Sequence, residues 1–417
     1  MELKKYKLGD IADIINGATP STSCEDNYDG EIVWITPKDL SEQKAKYVER
    51  GSRNITQKGF NSCSAQMIPA YNILMSSRAP IGLLAINKAE CCTNQGFKNI
   101  VVDRSMCDVD FLYYYLKYHI KEIEALGSGT TFKEVSKASL QQFEITIPSL
   151  DVQKHIASIL ADIDQKIALN RAINDNLEAM AKQLYDYWFV QFDFPNEEGK
   201  PYKSSGGKMI RNEKLKREIP EGWGDAKIKD IANTYSGGTP TSTNQDYYIG
   251  GKIPWINSGE LNNPVITETS NYITDLGLNN SSAKLYPQNT ILVALYGATA
   301  GKVSLLSFEA CSNQAVCGVM PTDDNMTTYI RYHLASLYEH FIILSSGSAR
   351  DNISQDTIKN TILPIPRIEI LKKYEDIVKP IVDKIIANQK EVKNLTKQRD
   401  DLLPLLMNGQ VLPLNSD

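Results

Sequence analysis

The chain carries one sequence pattern twice. The segment Tyr6–Pro20, YKLGDIADIINGATP, has a similar counterpart 220 residues later in Ala226–Pro240, AKIKDIANTYSGGTP. Further matches follow in the same order: Trp34 with Trp255, Asn94 and Gln95 with Asn313 and Gln314, Gly129 with Gly347, and Pro148 with Pro366. A repeat of about 200 residues is too long for a solenoid unit, so the pattern indicates two duplicated domains. A chain with two copies of one surface is able to make the same kind of contact twice.

Each copy has the same predicted organisation, a mixed α/β segment followed by a long helix. Short apolar runs between Gly, Pro and Asn predict strands. These runs are residues 73–76, 83–86 and 99–102 in the first copy and residues 291–294, 303–306 and 316–319 in the second. Paired helices are predicted over 111–124 and 329–344. The chain thus divides into a first domain (1–148), a central helix (149–193), a connector (194–222), a second domain (223–366) and a last helix (367–410).

The two long helices carry heptad patterns typical of a coiled coil and would each be roughly 60 Å long. The predicted apolar positions are Ile156, Ile159, Ile163, Ile173, Leu177, Met180, Leu184 and Tyr187 in the first helix and Tyr374, Ile377, Ile381, Leu395, Leu402 and Leu405 in the second, with Ile385 flanking. Asn170 and Asn388 occupy equivalent places near the two midpoints. If the helices pack antiparallel about a pseudo-twofold axis, these asparagines face each other and set the register. The alternative is two exposed asparagines on helices that never touch.

Composition restricts the partners and the compartment. The net charge of −5 counts against strong DNA binding by the isolated chain, because Lys and Arg normally neutralise the phosphates. A local basic surface or a partner protein could still supply positive charge. The seven cysteines include no Cys-x-x-Cys pair, which predicts reduced thiols. The four histidines lack metal-ligand spacing, and no signal peptide or membrane span is evident, so we expect a cytoplasmic protein without a metal site.

No motif for catalysis is recognisable. The sequence has no Gly-x-Gly-x-x-Gly, no Walker-type loop and no Asn-Pro-Pro-aromatic segment of the kind that amino-methyltransferases use. The acidic-x-Lys triplets at Asp164–Lys166 and Glu391–Lys393 lie inside the predicted helices, where such spacing usually marks a solvated face. We therefore expect a chain that is not an enzyme and binds no cofactor itself.

The α/β segments instead offer polar and basic side chains suited to DNA. Arg pairs with guanine and Asn or Gln with adenine in the major groove, while Lys suits phosphates. Taken singly, a residue of this kind is more often an ordinary surface residue. The candidates are Lys38, Arg50, Arg53, Lys58, Arg78, Gln95, Lys98, Lys133, Lys252, Asn257, Tyr296, Lys302, Gln314, Arg350 and Asn352. Trp34 and Trp255 each follow a strand-like apolar residue, which favours packing over base stacking.

The ordered duplication resembles the specificity (S) subunit of a Type I restriction–modification enzyme. The motifs are Gly-x-Thr-Pro, the Trp-containing strand, Asn-Gln and the Gly-Ser-Gly loop, then Pro148, Gln153, residues 163–167 and Asn170, with FDFP at 192–195 and IPEGW at 219–223 between the copies. The second copy departs from the pattern at Leu371, which replaces the glutamine matching Gln153, and at Pro380 inside the helix.

This resemblance implies a non-catalytic subunit with two target-recognition domains, each reading half of a split, asymmetric DNA sequence. It also implies that the two helices hold the domains apart in a pseudo-twofold arrangement and dock two methyltransferase subunits, which restriction motor–nuclease subunits join. S-adenosylmethionine, ATP and Mg are then expected on the partners. Two alternatives stay open: an enzyme with unrecognised motifs, and a coiled-coil scaffold with two protein-binding domains.

Overall fold

The computed structural model describes residues 2–42, 45–129, 133–346 and 352–411. It divides into two compact units, one formed by the residues up to Leu169 together with those from Val392 onwards, the other by Asn170–Glu391. Each unit contains one α/β domain and a segment of each long helix. No helix in the described ranges is long and apolar enough to cross a membrane.

The first domain consists of short strands and short helices. Its strands are β1 (Lys4–Lys7), β2 (Ala12–Asn16), β3 (Tyr28–Ile32), β4 (Trp34–Ile35), β5 (Tyr47–Val48), β6 (Ile73–Ser76), β7 (Leu84–Asn87), β8 (Cys92–Thr93), β9 (Phe97–Val102) and β10 (Glu144–Ile147). Its helices are α1 (Leu8–Ile11), α2 (Pro37–Glu42), α3 (Gln57–Asn61), α4 (Val109–Tyr118), α5 (Ile120–Ala125) and α6 (Lys137–Gln141). The first long helix, α7 (Leu150–Tyr185), follows.

The second half repeats this order after a hairpin. Its strands are β11 (Met209–Asn212), β12 (Arg217–Pro220), β13 (Gly224–Lys227), β14 (Ala232–Ser236), β15 (Ile253–Ile256), β16 (Val265–Ile266), β17 (Tyr272–Ile273), β18 (Ile291–Ala294), β19 (Val303–Leu306), β20 (Cys311–Ser312), β21 (Val316–Pro321) and β22 (Ile362–Ile365). Its helices are α8 (Ile228–Ile231), α9 (Asp275–Asn279), α10 (Thr327–Ser336), α11 (Tyr338–Ser346), α12 (Gln355–Asn360) and the second long helix, α13 (Ile368–Met407).

The two domains share one sheet topology. The main sheet has the order β2-β9-β6-β7-β5 in the first domain and β14-β21-β18-β19-β16 in the second. Each domain also has a parallel pair, β4-β8 or β15-β20, and an antiparallel pair, β1-β10 or β13-β22, and in the second domain β17 pairs antiparallel with β15. The central strands β6 and β18 are buried along their whole length, which explains why their sequences are continuous apolar runs. The predicted mixed α/β fold and its duplication are confirmed.

The predicted paired helices are each broken once. The expected helix over 111–124 is α4 followed by α5, separated at His119, and the one over 329–344 is α10 followed by α11, separated at Leu337. By contrast, α13 continues through Pro380, whose ring lies on the exposed face.

The connector is a folded element rather than a bare linker. It contains the antiparallel hairpin of β11 and β12. Phe192, Phe194 and Trp223 are buried in the core of the second unit, and the Phe194 and Trp223 rings stack at 5.2 Å between centroids. The aromatic residues of FDFP and IPEGW are therefore packing residues.

In the second unit, α7 and α13 run antiparallel. Trp188, just beyond the C-terminal end of α7, contacts Tyr374 near the N-terminal end of α13, with ring centroids 5.7 Å apart. Asn174, earlier in α7, contacts Asn388, later in α13. In the first unit, Ile156 and Leu160 of α7 share a core with Leu403 and Leu406 of α13. Asp164 of α7 forms an ion pair of 2.8 Å with Arg399 of α13. The Tyr114 hydroxyl also donates to Asp164, at 2.7 Å. Asp164 is therefore structural.

The predicted heptad column was partly wrong. Met180 and Tyr187 are 52% and 37% exposed, and Ile377 and Leu405 are 45% and 36% exposed. The most deeply packed column, at seven-residue spacing along α7 and the segment just beyond it, is instead Gln153, Leu160, Ile167, half-buried Asn174, Ala181 and Trp188. Three of its members are polar or small, so hydrophobicity alone pointed to the neighbouring column of larger residues. Apart from buried Ile156, the residues of that predicted column are only half-buried or exposed.

The same shift corrects the predicted pairing of Asn170 with Asn388. The Asn388 amide, which is 2% exposed, donates to Oδ1 of Asn174 at 2.9 Å, and the Asn174 amide donates to the Ile385 carbonyl at 3.2 Å. Asn170 lies one helical turn before Asn174, in the flanking column, where it is half-buried. An asparagine at the seam still pairs across it, but the partner is not the duplicated residue.

Different side chains attach the two domains to their long helices. In the first, buried Gln153 accepts from the backbone N–H of Asp108, the N-cap of α4, at 2.9 Å. In the second, the equivalent position is Leu371, and buried Glu375 of α13 accepts from the backbone N–H of Thr328 at 3.3 Å and from its hydroxyl. Burial raises the pKa of Glu375, although the hydrogen bonds from Thr328 act in the opposite direction.

We expect Asn388→Ala to lower the free energy of unfolding by about 1–3 kcal/mol, because it removes the donor to Oδ1 of half-buried Asn174. Asn170→Ala is the matched control and should change stability by less than about 0.5 kcal/mol. Urea unfolding of the two variants measures both effects. Equal losses would contradict the observed pairing.

The raised pKa of Glu375 gives a pH-dependent prediction. A carboxyl whose folded-state pKa lies above its unfolded value contributes stability at pH values below the unfolded pKa and loses it as the pH rises through the folded pKa. Glu375→Gln keeps an acceptor for Thr328 but cannot ionise. We therefore expect Glu375→Gln to raise the midpoint of unfolding at pH 8 but not at pH 4. The control Glu369→Gln, at an exposed position, should change the midpoint little at either pH. A lower midpoint at pH 8 would refute this account.

Candidate nucleic-acid interface

The Gly-x-Thr-Pro loop of the first domain is held by two aromatic side chains. The Trp34 indole N–H donates to the Ala18 carbonyl at 3.1 Å, and the Tyr28 hydroxyl donates to the Pro20 carbonyl at 2.8 Å. The two rings pack edge to face with centroids 5.9 Å apart. Trp34 is thus buried behind the loop, as its sequence context predicts, and does not offer a stacking face.

The second domain repeats these bonds. Trp255 donates to the Gly238 carbonyl at 3.0 Å, and Tyr248 donates to the Pro240 carbonyl at 2.6 Å, with the rings again edge to face at 6.1 Å. The loop geometry is therefore duplicated together with its sequence.

A glycine brings each loop against the Asn-Gln turn. A Cβ at Gly17 would lie 1.8 Å from the Asn94 carbonyl oxygen, and one at Gly237 would lie 2.2 Å from that of Asn313. Side chains are excluded at both positions, which explains the glycine in both copies.

The asparagine and the glutamine of the Asn-Gln turn, residues 94–95 and 313–314, have different roles. The Asn94 side chain accepts from the Gly96 backbone at 2.9 Å, and that of Asn313 accepts from Ala315 at 3.1 Å, so the asparagines shape the turn. The glutamines point outward and are exposed. The Thr19 hydroxyl donates to the Gln95 amide oxygen, and the Thr239 hydroxyl donates to that of Gln314. We call each of these pairs a Thr–Gln junction.

Two further segments border each junction. In the first domain, the Ser77 N–H donates to the Gly96 carbonyl at 2.7 Å and Val135 donates to Ser77 at 3.0 Å. These contacts bring the segments that carry Arg78 and Glu134 to the Gly96 end of the Asn-Gln turn, one residue from Gln95. In the second domain, Leu295 donates to Ala315 and Ile353 to Leu295, both at 2.7 Å, which places Tyr296 and Asn352 beside Gln314.

The border of the first junction is charged. Buried Lys98 and exposed Arg78 both bind the Glu134 carboxylate, each at 3.0 Å. Partial burial would raise the pKa of Glu134, but its bonds to Lys98 and Arg78 outweigh this and lower it, so the carboxylate is ionised. Lys98 is therefore not an exposed phosphate ligand. At the second junction, partial burial raises the pKa of Tyr296 despite a hydrogen bond with Gln314.

Four more predicted residues lie near the junctions. Pro37, the neighbour of Lys38, packs against Gly96. The Asn257 oxygen accepts from Asn313 at 3.1 Å, and Lys302 bonds Asn262, which follows Asn257 on the same turn. Lys133 is exposed next to Glu134.

A carboxylate shapes the turn after the Trp-containing strand in each domain. Asp39 accepts from the Thr36 and Ser52 backbones, both at 2.8 Å, and Glu260 accepts from the Asn257 backbone at 2.9 Å. Burial would raise the pKa of Asp39, but the hydrogen bonds from Thr36 and Ser52 lower it overall. These acids are bonded inward, in structural roles.

The remaining candidates lie elsewhere or outside the described ranges. Arg53 is paired with Asp29 and its guanidinium stacks 4.0 Å from the centre of the Tyr28 ring, Lys58 is paired with Asp26, and Arg50 lines a depression with Glu31 and Glu49. Lys252 precedes β15, at the opposite end of that strand from Asn257. Arg350 falls outside the described residues. In the parts of the chain that the structure covers, no group of three His, Cys, Asp or Glu side chains could hold a metal ion.

Comparison with known proteins decides the family. A model of the Type I restriction modification DNA specificity domain matches residues 1–179 and again 220–397. The chain belongs to this family. It is 33% identical over 411 residues to the MjaIX specificity subunit of Methanocaldococcus jannaschii, covering 97% of this chain and 92% of the relative. It is also 27% identical to the HindI specificity subunit of Haemophilus influenzae, covering 70% of this chain and 74% of that protein. Both relatives are named as specificity subunits, which fits a non-catalytic role.

The fold of the Type I specificity family is found here as well. The crystal structure of an S subunit from M. genitalium matches with a TM-score of 0.61 at 17% identity, covering 97% of this chain and 96% of that one. Both comparisons agree with the resemblance that the duplicated motifs indicate.

Sequence reasoning missed three residues at the junctions of this specificity protein. Thr19 and Thr239 stand in the duplicated Gly-x-Thr-Pro motif, and their recurrence beside Gln95 and Gln314 was a usable signal. Glu134 had no such signal, because its partners Arg78 and Lys98 are 56 and 36 residues away in the chain.

We expect Gly17→Ala and Gly237→Ala each to destabilise the protein by at least about 1–3 kcal/mol, since the added methyl group meets a backbone carbonyl. Gly224→Ala is the matched control, because a Cβ there meets nothing within 4 Å. Thermal unfolding measures the difference. Gly17→Ala as stable as the control would show that the loop does not need the close approach.

Proposed function

We propose that this chain is the sequence-reading subunit of a Type I restriction–modification enzyme and that each domain reads one half of a split DNA target through its Thr–Gln junction. The observation that carries this proposal is the duplication of the junction. Two domains that share the same exposed amide, the same hydroxyl beside it and the same supporting bonds are suited to making the same contact at two places on one DNA molecule.

The junction has the chemistry needed for base readout. A glutamine amide pairs bidentately with adenine N6 and N7 in the major groove. The amide oxygen has two lone pairs, so it accepts from the adenine amino group while it accepts from the threonine hydroxyl. That hydroxyl orients Gln95 and Gln314 before DNA arrives, which reduces the entropy lost on binding.

The charge distribution supports binding as part of a complex. The net charge is −5, and Lys38, Arg53, Lys58 and Arg78 all have acidic partners within 4 Å. Phosphate neutralisation, which supplies most of the affinity for duplex DNA, is therefore weak in the free chain. We infer that two methyltransferase subunits add this affinity and carry S-adenosylmethionine, and that motor–nuclease subunits using ATP and Mg join them in the cytoplasm.

The test is position-specific loss of sequence preference. The chain is expressed with its methyltransferase subunits, and the methylated sites in the host genome are mapped. Gln95→Ala should relax one position in one half-site and Gln314→Ala one position in the other half-site, each by roughly 5- to 150-fold, as expected for one lost bidentate contact. Exposed Gln142 in the first domain supplies the matched alanine control. Methylation that follows no split sequence, or Gln variants that leave both half-sites intact, would refute the proposal.

A further inference from the structure

At three structurally equivalent positions beside the Thr–Gln junctions, the first domain has charged side chains and the second domain has neutral ones. We propose that Arg78 reads a guanine in the half-site of the first domain, with Glu134 as its positioning residue, and that the second domain makes a neutral contact through Tyr296 and Asn352 at the corresponding place. This inference rests on the proposed function and identifies a side chain that makes the two half-sites differ.

The equivalence follows from the strand register. Lys98 pairs with Met75 in the first domain, and Cys317 pairs with Val293 at the same point of the second sheet. Isolated bridges connect Arg78 to Glu134 and Tyr296 to Asn352. The charged set of Lys98, Glu134 and Arg78 therefore corresponds to the neutral set of Cys317, Asn352 and Tyr296.

The charged set is built from the interior outward. Lys98 is buried, with 7% of its side chain exposed, and its ammonium lies 3.0 Å from Oε1 of Glu134. The other carboxylate oxygen lies 3.0 Å from Nε of Arg78, whose side chain is 49% exposed. The buried ammonium fixes the carboxylate, and the carboxylate fixes the guanidinium. Two positive charges share one negative charge, so a net positive charge remains at the surface.

The Nε bond leaves the outer edge of Arg78 available. Among the described residues, neither terminal nitrogen of this guanidinium has a hydrogen-bond partner. Their two N–H groups form the fork that pairs with guanine O6 and N7, the commonest specific contact of arginine in the major groove. Arg53 differs, because it uses both Nε and a terminal nitrogen on Asp29, at 3.2 and 3.1 Å.

Among the described residues of the second domain, the equivalent positions carry no such fork. Tyr296 is half-buried and hydrogen-bonded with Gln314, and Asn352 presents a neutral amide. Such groups donate and accept single bonds, and an asparagine amide suits adenine rather than guanine. The two junctions therefore share a Thr–Gln contact and differ in the neighbouring contact, which is what reading an asymmetric target requires.

The experiment uses the full chain with its methyltransferase subunits and genome-wide mapping of methylated sites. The wild-type target should contain a guanine in the half-site that Gln95→Ala alters. Arg78→Gln should reduce the preference for guanine at one position by about tenfold to a hundredfold and leave the other half-site unchanged. Arg78→Lys should do the same, because it keeps the charge but loses the fork. Glu134→Gln should keep guanine as the preferred base with several-fold lower selectivity, as expected of a positioning residue.

Arg211→Gln is the matched control, since Arg211 also binds a glutamate through Nε, at 3.4 Å from Glu213, but lies on the connector hairpin. It should leave the target unchanged. Uniform weakening at all positions by Arg78→Gln, or retained guanine preference in Arg78→Lys, would overturn the inference and assign Arg78 to phosphate. These results would leave the proposed function standing, whereas a wild-type complex that recognises no split sequence would remove both.

Discussion

A close approach between two backbone segments organises the candidate binding surface of each domain. At Gly17 and Gly237 the loop backbone comes so near to the carbonyls of Asn94 and Asn313 that a methyl group cannot be accommodated. This contact brings the threonine hydroxyl of the loop to the glutamine of the turn. The tryptophan and tyrosine behind the loop satisfy its carbonyls, so the outward face is free to carry polar groups whose orientation is already set.

Duplication has preserved the backbone frame and allowed the side chains to diverge. Strand order and pairing register are the same in the main sheets of both domains, yet Lys98 corresponds to Cys317 and Arg78 to Tyr296. The attachment to the long helices shows the same freedom, since Gln153 in one domain is replaced in its role by Glu375 in the other. Backbone hydrogen bonds do not depend on side-chain identity, so the frame tolerates such exchanges, and a sequence-reading protein gains two different recognition surfaces on one architecture.

Charge pairing at the surface connects the acidic composition with the function. Most basic residues of the first domain that could meet phosphates bind a neighbouring carboxylate, and exposed pairs of this kind contribute little to stability. They do lower the positive potential that DNA would encounter. In the proposed function, specific contacts at the junctions contribute selectivity, and partner subunits contribute the general affinity that an acidic chain lacks.

The sequence by itself determined the duplication, the mixed α/β class, the continuous strands β6 and β18 and the family resemblance, because these depend on local apolar runs and on the order of short motifs. It also singled out Gln95 and Gln314 as candidate binding residues, since repetition marks positions under a shared constraint. Only the tertiary structure decided which helix column packs and which asparagine meets Asn388, because the seam uses small and polar residues that a hydrophobic pattern overlooks. The tertiary structure also decided that Lys98 is buried and that Glu134 binds Arg78, since strand pairing brings together residues that are dozens of positions apart and leaves no trace of that proximity in the sequence around them.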